Sequence, residues 1–430
     1  MAITGRAVLL VLLGIVPAAL TPGWSGAAVA LGVVAVLLAL DLALAGSPRA
    51  LDVQRRDVPG LRLGGETLAV TDVTNGGRRR VRGRLVDGWQ PSAGAVPARH
   101  RLDLAPGSRT AVTTVLRPDR RGDRLALHVT VRCLGPLGLA ARQGTRRAPG
   151  SVRVLPPFTS RKHLPSALAR LREIEGQTAL RIRGQGTEFD SLREYVIGDD
   201  VRAIDWRASA RGRGVAVRTW RPERDRRVLL VLDTSRTSAA RIGDAPRLDA
   251  AMDAALLLAA LAARAGDRVE LLAVDQEVRA RVERTDGSRL LPALVEAMAP
   301  LDATLLEADW TLIAASIRQR VPHRALVVLL TTLDPTAMDE GLLPVLGVLT
   351  ERHQVLVASV ADPALTELTR GRDDAFAVHA AASAERAVMD GAAVRAELVR
   401  AGVEVVEASP EGLPPALVDR YLALKAAGRL

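Results

Sequence analysis

The tightest group of chemistry-bearing residues in this 430-residue chain is Asp233-Thr234-Ser235-Arg236-Thr237. Oxygen side chains at i, i+2 and i+4 of one loop can converge on a hard cation. Mg2+ suits such a set, since it takes few carboxylates and keeps waters. The same residues equally suit a polar loop in which Ser235 and Thr237 cap the segment that follows. The densest run of charge is residues 189–211, FDSLREYVIGDDVRAIDWRASAR. Phe189, Leu192 and Val196 fall on one helical face that would stop at Gly198. Asp199 is placed to cap a second helix with Val201, Ile204 and Ala208 turned inward. Arg193, Glu194, Asp199, Asp200, Arg202, Asp205, Arg207 and Arg211 crowd around Trp206, as a salt-bridged clamp or as a docking surface. Tyr195 and Trp206 could anchor a partner, but core packing is the expected use of Trp206.

No nucleophile is accompanied by a base. Ser209 has no histidine near it in sequence, and Cys133 lies in a β pattern. Asp199, Asp200 and Asp205 could imitate a carboxylate pair, but the first two are adjacent and do not face each other. The six histidines are scattered without zinc-ligand spacing, which argues against a zinc hydrolase. A single cysteine permits no internal disulfide and fits a reducing compartment. Aromatics are only 2% of the chain, too few for a nucleic-acid surface built on base stacking. A binding protein is therefore expected rather than an enzyme.

The elements that must position these residues follow from periodicity. From residue 228 onward, Val- and Leu-rich strands (RVLLVLD, 268–274, ALVVLLTT, QVLVASV, VEVVEA) alternate with helical patterns at 247–265, 307–320, 339–352, 384–401 and 415–427. This is the pattern of a mostly parallel, doubly wound α/β sheet, whose ligands sit beyond the C-terminal strand ends. Asp233 ends the first of these strands. Neither GxGxxG nor a P-loop follows it, so a nucleotide site has no support. Ahead of this, residues 51–158 alternate polar and apolar side chains between turn signals such as NGG and PGS, as a small β-sandwich does. VLPPF reads as a linker, with a helix at 164–175 behind it.

The N-terminus is different again. No charge occurs between Arg6 and Asp41, and TPGWSG at 21–26 breaks the run. Two membrane helices are expected, near 7–20 and 26–46, with Trp24 as an interfacial anchor. A signal peptide at 7–20 is the competing reading. Arg49, Arg55 and Arg56 follow the second helix, which places both ends and the soluble domains in the cytoplasm. Residues 47–155 carry 21 arginines against 8 acidic residues, a net +13, whereas the remainder is close to neutral. That segment is expected to lie against anionic inner-leaflet lipid.

Several stretches resemble a known family. Residues 186–211 resemble the signature of the family called domain of unknown function 58. GDRVELLAVDQEVRARV (266–282) is similar to the strand-turn-strand run of von Willebrand factor A-like domains. DRRGDRLALHVTVRCLGPLGL (119–139) resembles the family's closing β motif, and residues 398–428 resemble its C-terminal end. The resemblance covers nearly the whole chain. It implies a two-helix transmembrane hairpin (1–48), a basic Ig-like β-sandwich (49–158), a helical signature segment (159–227) and a von Willebrand A-like α/β domain (228–430). Family members are bacterial membrane proteins often encoded beside MoxR-type AAA+ ATPases, and similar proteins are thought to help assemble or activate others. The implied role is an adapter or assembly factor acting with such an ATPase on an unknown client. A metal-dependent hydrolase and a purely structural envelope scaffold are the alternatives. The resemblance also implies a metal-ion-dependent adhesion site with Asp233, Ser235 and Thr237 as its first motif. The rest departs from the pattern: Thr304 or Asp309 stands in the middle loop, and Thr332 and Asp334 stand where an aspartate should follow the central strand. Arg193, Glu194, Tyr195, Gly198, Asp199, Arg202, Asp205, Trp206, Ser209 and Arg211 are the candidate signature or protein-binding residues.

Overall fold

In the computed structural model, which describes residues 2–20, 24–181, 188–197, 201–211, 214–221, 226–283 and 287–430, the chain divides into two units, Met1–Pro156 and Pro157–Leu430. The first begins with two apolar helices, Gly5–Leu20 and Ser25–Leu44, which meet at Gly14 and Ala30. The stretch Ser25–Ala50 is long and apolar enough to cross a membrane, with mean hydropathy 2.6. The first helix has 16 residues, short of the roughly 20 that a span requires. Among the described residues there is therefore one helix of spanning length beside a shorter apolar one.

Both ends of this pair are tied to the β domain. Ala2–Ile3 pairs antiparallel with Ala140 and Ala141. The buried Asp41 carboxylate accepts backbone N–H groups from Leu137 (2.7 Å), Leu139 (2.7 Å) and Ala140 (2.8 Å). A Cβ on Gly135 would lie 2.3 Å from the same carboxylate, so glycine is required for the approach.

The β domain is a two-sheet sandwich. One sheet runs Ala2–Ile3, Ala140–Leu155, Gly122–Leu134, Val81–Trp89, Arg99–Leu104, with Leu61–Arg62 also on Ala140–Leu155; the other runs Leu51–Arg55, Thr67–Asn75, Arg109–Leu116, Ala95–Val96. Alternation sends Val53, Val73 and Val112 from one sheet against Leu85, Val129, Val131 and Cys133 from the other. Burial pushes the Cys133 thiol up to about 11, so it behaves as a core apolar group. Beside the core lies a dry polar knot. The Arg55 guanidinium is paired with Asp87 at 2.7 Å, both side chains wholly buried, and stacks 4.7 Å from the Trp89 ring centroid. Trp89 Nε1 and Thr114 Oγ1 donate to the other Asp87 oxygen at 3.0 and 2.9 Å.

In the second unit a six-stranded sheet has the order Val278–Val282, Arg268–Val274, Arg227–Asp233, Leu326–Leu330, Gln354–Val360, Glu404–Ala408. All neighbours are parallel except the edge strand Val278–Val282. The helix Arg247–Arg264 has nearly every residue from Leu248 to Ala262 buried, as expected of a crossover helix covering a sheet. Helices Trp310–Arg320 and Leu343–Thr350 contribute Ile313, Ile317, Leu346 and Leu349 to the core that Leu229, Val327 and Val357 share. Asp253 accepts from Thr159 Oγ1 (2.6 Å) and Ser160 Oγ (2.8 Å), which anchors the start of this unit. At the C-terminus, Asp267 accepts from Tyr421 Oη (2.5 Å) and Lys425 Nζ (2.9 Å) in a buried triad.

The signature segment corrects the sequence reading. Glu188–Glu194 is a strand paired antiparallel with Ala216–Arg221, not the first of two helices. The β-rich partner AVRTWR supplies cross-strand pairing that outweighs the helical spacing of Phe189, Leu192 and Val196. Gly198 and Asp199 lie outside the described residues. The short helix that follows, Trp206–Ser209, is capped by Asp205.

Two stability predictions follow from these buried groups. Asp87→Ala would strand the Arg55 charge and should destabilise the sandwich by about 3–5 kcal/mol, read as lost amide protection along Val81–Trp89 by hydrogen exchange. His353 is buried, and among the described residues neither ring nitrogen is hydrogen-bonded; burial first and Arg352 second lower its pKa. Its contribution is therefore intact above the unfolded value of about 6.5 and is lost as pH falls through the lower folded value. Thermal midpoints at neutral and mildly acidic pH should diverge less in His353→Leu than in the wild type.

Candidate functional site

Of two adjacent parallel strands, one ends in Asp233 and the other is followed directly by Asp275, which places both carboxylates at the C-terminal edge of the sheet. Asp233 closes Arg227–Asp233 and is 3% exposed. Its Oδ1 accepts the Ser235 N–H at 2.8 Å. Its Oδ2 accepts Thr331 Oγ1 at 2.6 Å and Thr237 Oγ1 at 3.3 Å. Ser235 Oγ lies 3.3 Å from Thr237 Oγ1, so the loop is closed on itself. Burial raises the Asp233 pKa, opposed by the donors from Thr331, Ser235 and Thr237.

Asp275 directly follows Arg268–Val274 and forms the second knot. Its Oδ1 accepts Gln276 N–H (2.7 Å) and Glu277 N–H (3.1 Å), and its Oδ2 accepts Thr234 Oγ1 (3.1 Å) and Thr304 Oγ1 (3.2 Å). Thr304 thus serves Asp275 and not Asp233. Arg247, half-buried, donates Nη1 to Thr237 O at 3.3 Å while its Nε is buried without a partner. Burial lowers the Arg247 pKa, and Asp362, Asp334 and Glu407 oppose that shift.

Asp233, Ser235 and Thr237 therefore come together as the spacing implied, but Asp309 and Asp334 do not join them. Each is a helix cap: Asp309 Oδ1 accepts Leu312 N–H at 2.9 Å, and Asp334 Oδ1 accepts Ala337 N–H at 3.0 Å. Among the described residues no group of three or more His, Cys, Asp or Glu side chains is placed to hold a metal ion. The three-carboxylate centre required by the hydrolase alternative is not assembled. The residue directly after the central strand Leu326–Leu330 is Thr331, which takes the place expected of Thr332. Thr332 is buried with an unpartnered hydroxyl.

The donor set around Asp233 is small. It consists of one carboxylate whose lone pairs are engaged by three donors, plus hydroxyls bonded to it and to each other. With no second carboxylate to offset the loss of hydration, these residues do not fit a resident divalent cation. Thr331 and Asp275 were missed in the sequence. The signal for Asp275 was present, since AVD repeats the strand-then-aspartate pattern of VLD; only strand pairing shows that Thr331 faces Asp233.

The second group lies on the signature segment. Asp205 Oδ1 accepts Arg207 N–H (3.0 Å) and Ala208 N–H (2.9 Å), and its own N–H donates to Ala216 O at 2.8 Å. Ser209 Oγ donates to Asp205 O (2.7 Å) and accepts Ala216 N–H (2.9 Å). Tyr195 N–H donates to Val215 O at 2.8 Å. These contacts fix the hairpin's shape while Arg193, Glu194, Arg202 and Arg211 stay exposed. Trp206 is 68% exposed and Ile197 97% exposed, with Val196 and Val201 also open to solvent. Trp206 is thus not in the core, because the four-residue helix that carries it is too short to turn one face onto the sheet.

The fold defines a β-sandwich joined to a doubly wound α/β domain. The chain belongs to the family described as protein of unknown function DUF58, whose model matches residues 191–406. It is 27% identical over 189 residues to uncharacterized proteins of Mycobacterium bovis and Mycobacterium tuberculosis, covering 44% of this chain and 59% of each relative. The match therefore spans less than two thirds of those relatives. Among solved structures it is similar to an aerotolerance-related membrane protein from Bacteroides fragilis (15% identity, TM-score 0.30) and to BatB from Bacteroides thetaiotaomicron (16% identity, TM-score 0.31). Each match covers 47% of this chain and 99% of the other.

Asp233→Asn replaces an acceptor by a donor against Ser235, Thr237 and Thr331 and should cost about 1–3 kcal/mol. Millimolar Mg2+ should leave the wild-type thermal midpoint unchanged. A Mg2+-dependent rise that Asp233→Asn abolishes would show that a cation is bound there after all.

Proposed function

We propose that this protein is a membrane-anchored protein-binding module, an adapter or assembly factor that docks its partner on the signature hairpin. The observation that carries this reading is the exposure of Trp206, with Ile197, Val196 and Val201 also exposed, within the family-matched region. Tryptophan held in solvent by a hydrogen-bonded turn is expensive to maintain and is the residue type most enriched at binding hot spots. A partner of this surface brings an apolar cleft and acidic groups able to meet Arg207 and Arg211.

The partner class we propose is a MoxR-type AAA+ ATPase, following the family resemblance, with a client protein as the object of assembly. The sheet order, with a single antiparallel edge strand, and the DTSRT loop at the strand end support reading the α/β domain as von Willebrand A-like. In this reading the Asp233 loop binds without metal and the chain has no catalytic step. The helix Ser25–Leu44 is the membrane anchor, paired with the shorter apolar helix. The arginines after it favour a cytoplasmic placement of both soluble units.

The test is a crosslinked pull-down from native membranes in magnesium and in EDTA, for wild type, Trp206→Ala, Ile197→Asp and Asp233→Ala. An AAA+ ATPase should be recovered equally in both buffers, and Trp206→Ala should lower recovery by roughly thirtyfold, about 2 kcal/mol. Undiminished recovery with Trp206→Ala and Ile197→Asp would remove the hairpin as the docking surface. Recovery of no ATPase from the wild type would remove the partner class.

A further inference from the structure

The base of the N-terminal helix pair carries a surface that partner docking does not use. Asp41, in the last turn of Ser25–Leu44, holds the turn 135–139 through the N–H groups of Leu137 and Leu139. Thr4 secures the other side, donating Oγ1 to Gly138 O at 2.6 Å. This sandwich turn is therefore fixed beside the end of the apolar helix, and two apolar side chains stand free there: Leu137 is 47% exposed and Ile3 69% exposed.

Arginines gather at the same level. Arg142 Nε donates to Leu42 O at 3.1 Å, Arg79 Nη1 donates to Ala43 O, and Arg146 Nε donates to Pro48 O at 2.8 Å. Arg6 stands beside Gly138, its Nη1 2.9 Å from where a Cβ would lie. The carbonyls of Leu42 and Ala43 belong to the final turn of the helix, its negative end, so they orient the guanidiniums without neutralising them. Each of Arg79, Arg142 and Arg146 uses one of its five N–H donors in this way. None of the three is paired with a carboxylate among the described residues, whereas Asp72 is matched by Arg56 and Arg109, and Asp103 by Arg80 and Arg82.

We propose that this base is a binding surface for anionic glycerophospholipid. Leu137 and Ile3 enter the edge of the bilayer, and Arg79 and Arg142, with Arg6, take headgroup phosphate oxygens with their remaining N–H groups. The assignment rests on the reading of Ser25–Leu44 as a membrane span. Continuity with that helix and the unmatched positive charge identify a leaflet, and not soluble phosphate, as the occupant.

The experiment uses the full chain in nanodiscs of phosphatidylcholine with an equal share of phosphatidylglycerol, released into detergent and weighed with its retained lipid by native mass spectrometry. Wild type should retain phosphatidylglycerol in preference to phosphatidylcholine, with inorganic phosphate failing to displace it. The double variant Arg79→Gln/Arg142→Gln should lose that preference by roughly fivefold per arginine removed, and Arg79→Lys/Arg142→Lys should keep most of it. Leu137→Asp should lower total lipid retention. Equal retention of both lipids by wild type, an unchanged preference in the glutamine variant, or displacement by phosphate would each overturn the proposal. Carbonate washing of native membranes separates the two ideas. A chain washed off removes the span and this proposal together; a chain that resists washing but retains both lipids equally removes this proposal alone.

Discussion

A carboxylate taken out of water must be met by donors, and this constraint recurs at every junction of the molecule. Asp41 ties the apolar helices to the sandwich through three backbone N–H groups. Asp87 knots the sandwich interior around Arg55 and Trp89. Asp253 holds the start of the second unit, and Asp267 holds its last helix. Asp233 and Asp275 bind the strand-end loops to each other. With so few aromatic side chains, the cores are built from Val, Leu and Ala, whose packing is non-directional. The buried aspartates supply the direction, since their oxygens accept donors only from particular places.

The same constraint limits what the sheet edge can do chemically. An aspartate whose oxygens accept Thr331, Thr237 and Ser235 has three of its about four acceptor sites engaged, so a cation bound at Oδ2 would have to displace a donor. The loop that could have gathered a cation instead acts as a brace between the adjacent strands Arg227–Asp233 and Leu326–Leu330. Arg247 adds positive charge next to it. Recognition is left to the surface elsewhere, and the signature hairpin offers it in the form of exposed Trp206.

Much of the fold was legible because it depends on periodicity. Short Val-Leu runs of about seven residues alternating with longer helical patterns read as buried strands, so RVLLVLD and QVLVASV are assigned correctly. The alternation in TLAVTDVTN likewise marked a half-buried strand. Residues 189–194 failed for the opposite reason: the apolar spacing of 189–196 suits a helix, and only the antiparallel partner Ala216–Arg221 makes 189–194 a strand. Asp309 and Asp334 failed for another. An aspartate ahead of a helix is as good a cap as a ligand, and sequence carries no distance between the two loops.

The sequence by itself determined the apolar N-terminal stretch, the concentration of arginine in residues 47–155, the two β and α/β textures and the Asp233-Ser235-Thr237 spacing. These depend on composition and local order along the chain. Tertiary structure alone decided that Thr331 closes the Asp233 loop, that Asp275 takes Thr304, that Trp206 faces solvent and that Arg79 and Arg142 converge on the end of one helix. Each of these is a contact between residues that are distant in sequence or a matter of which face is covered. A hydrogen bond or a burial of that kind has no periodic trace, because it exists only once separate elements have been brought together.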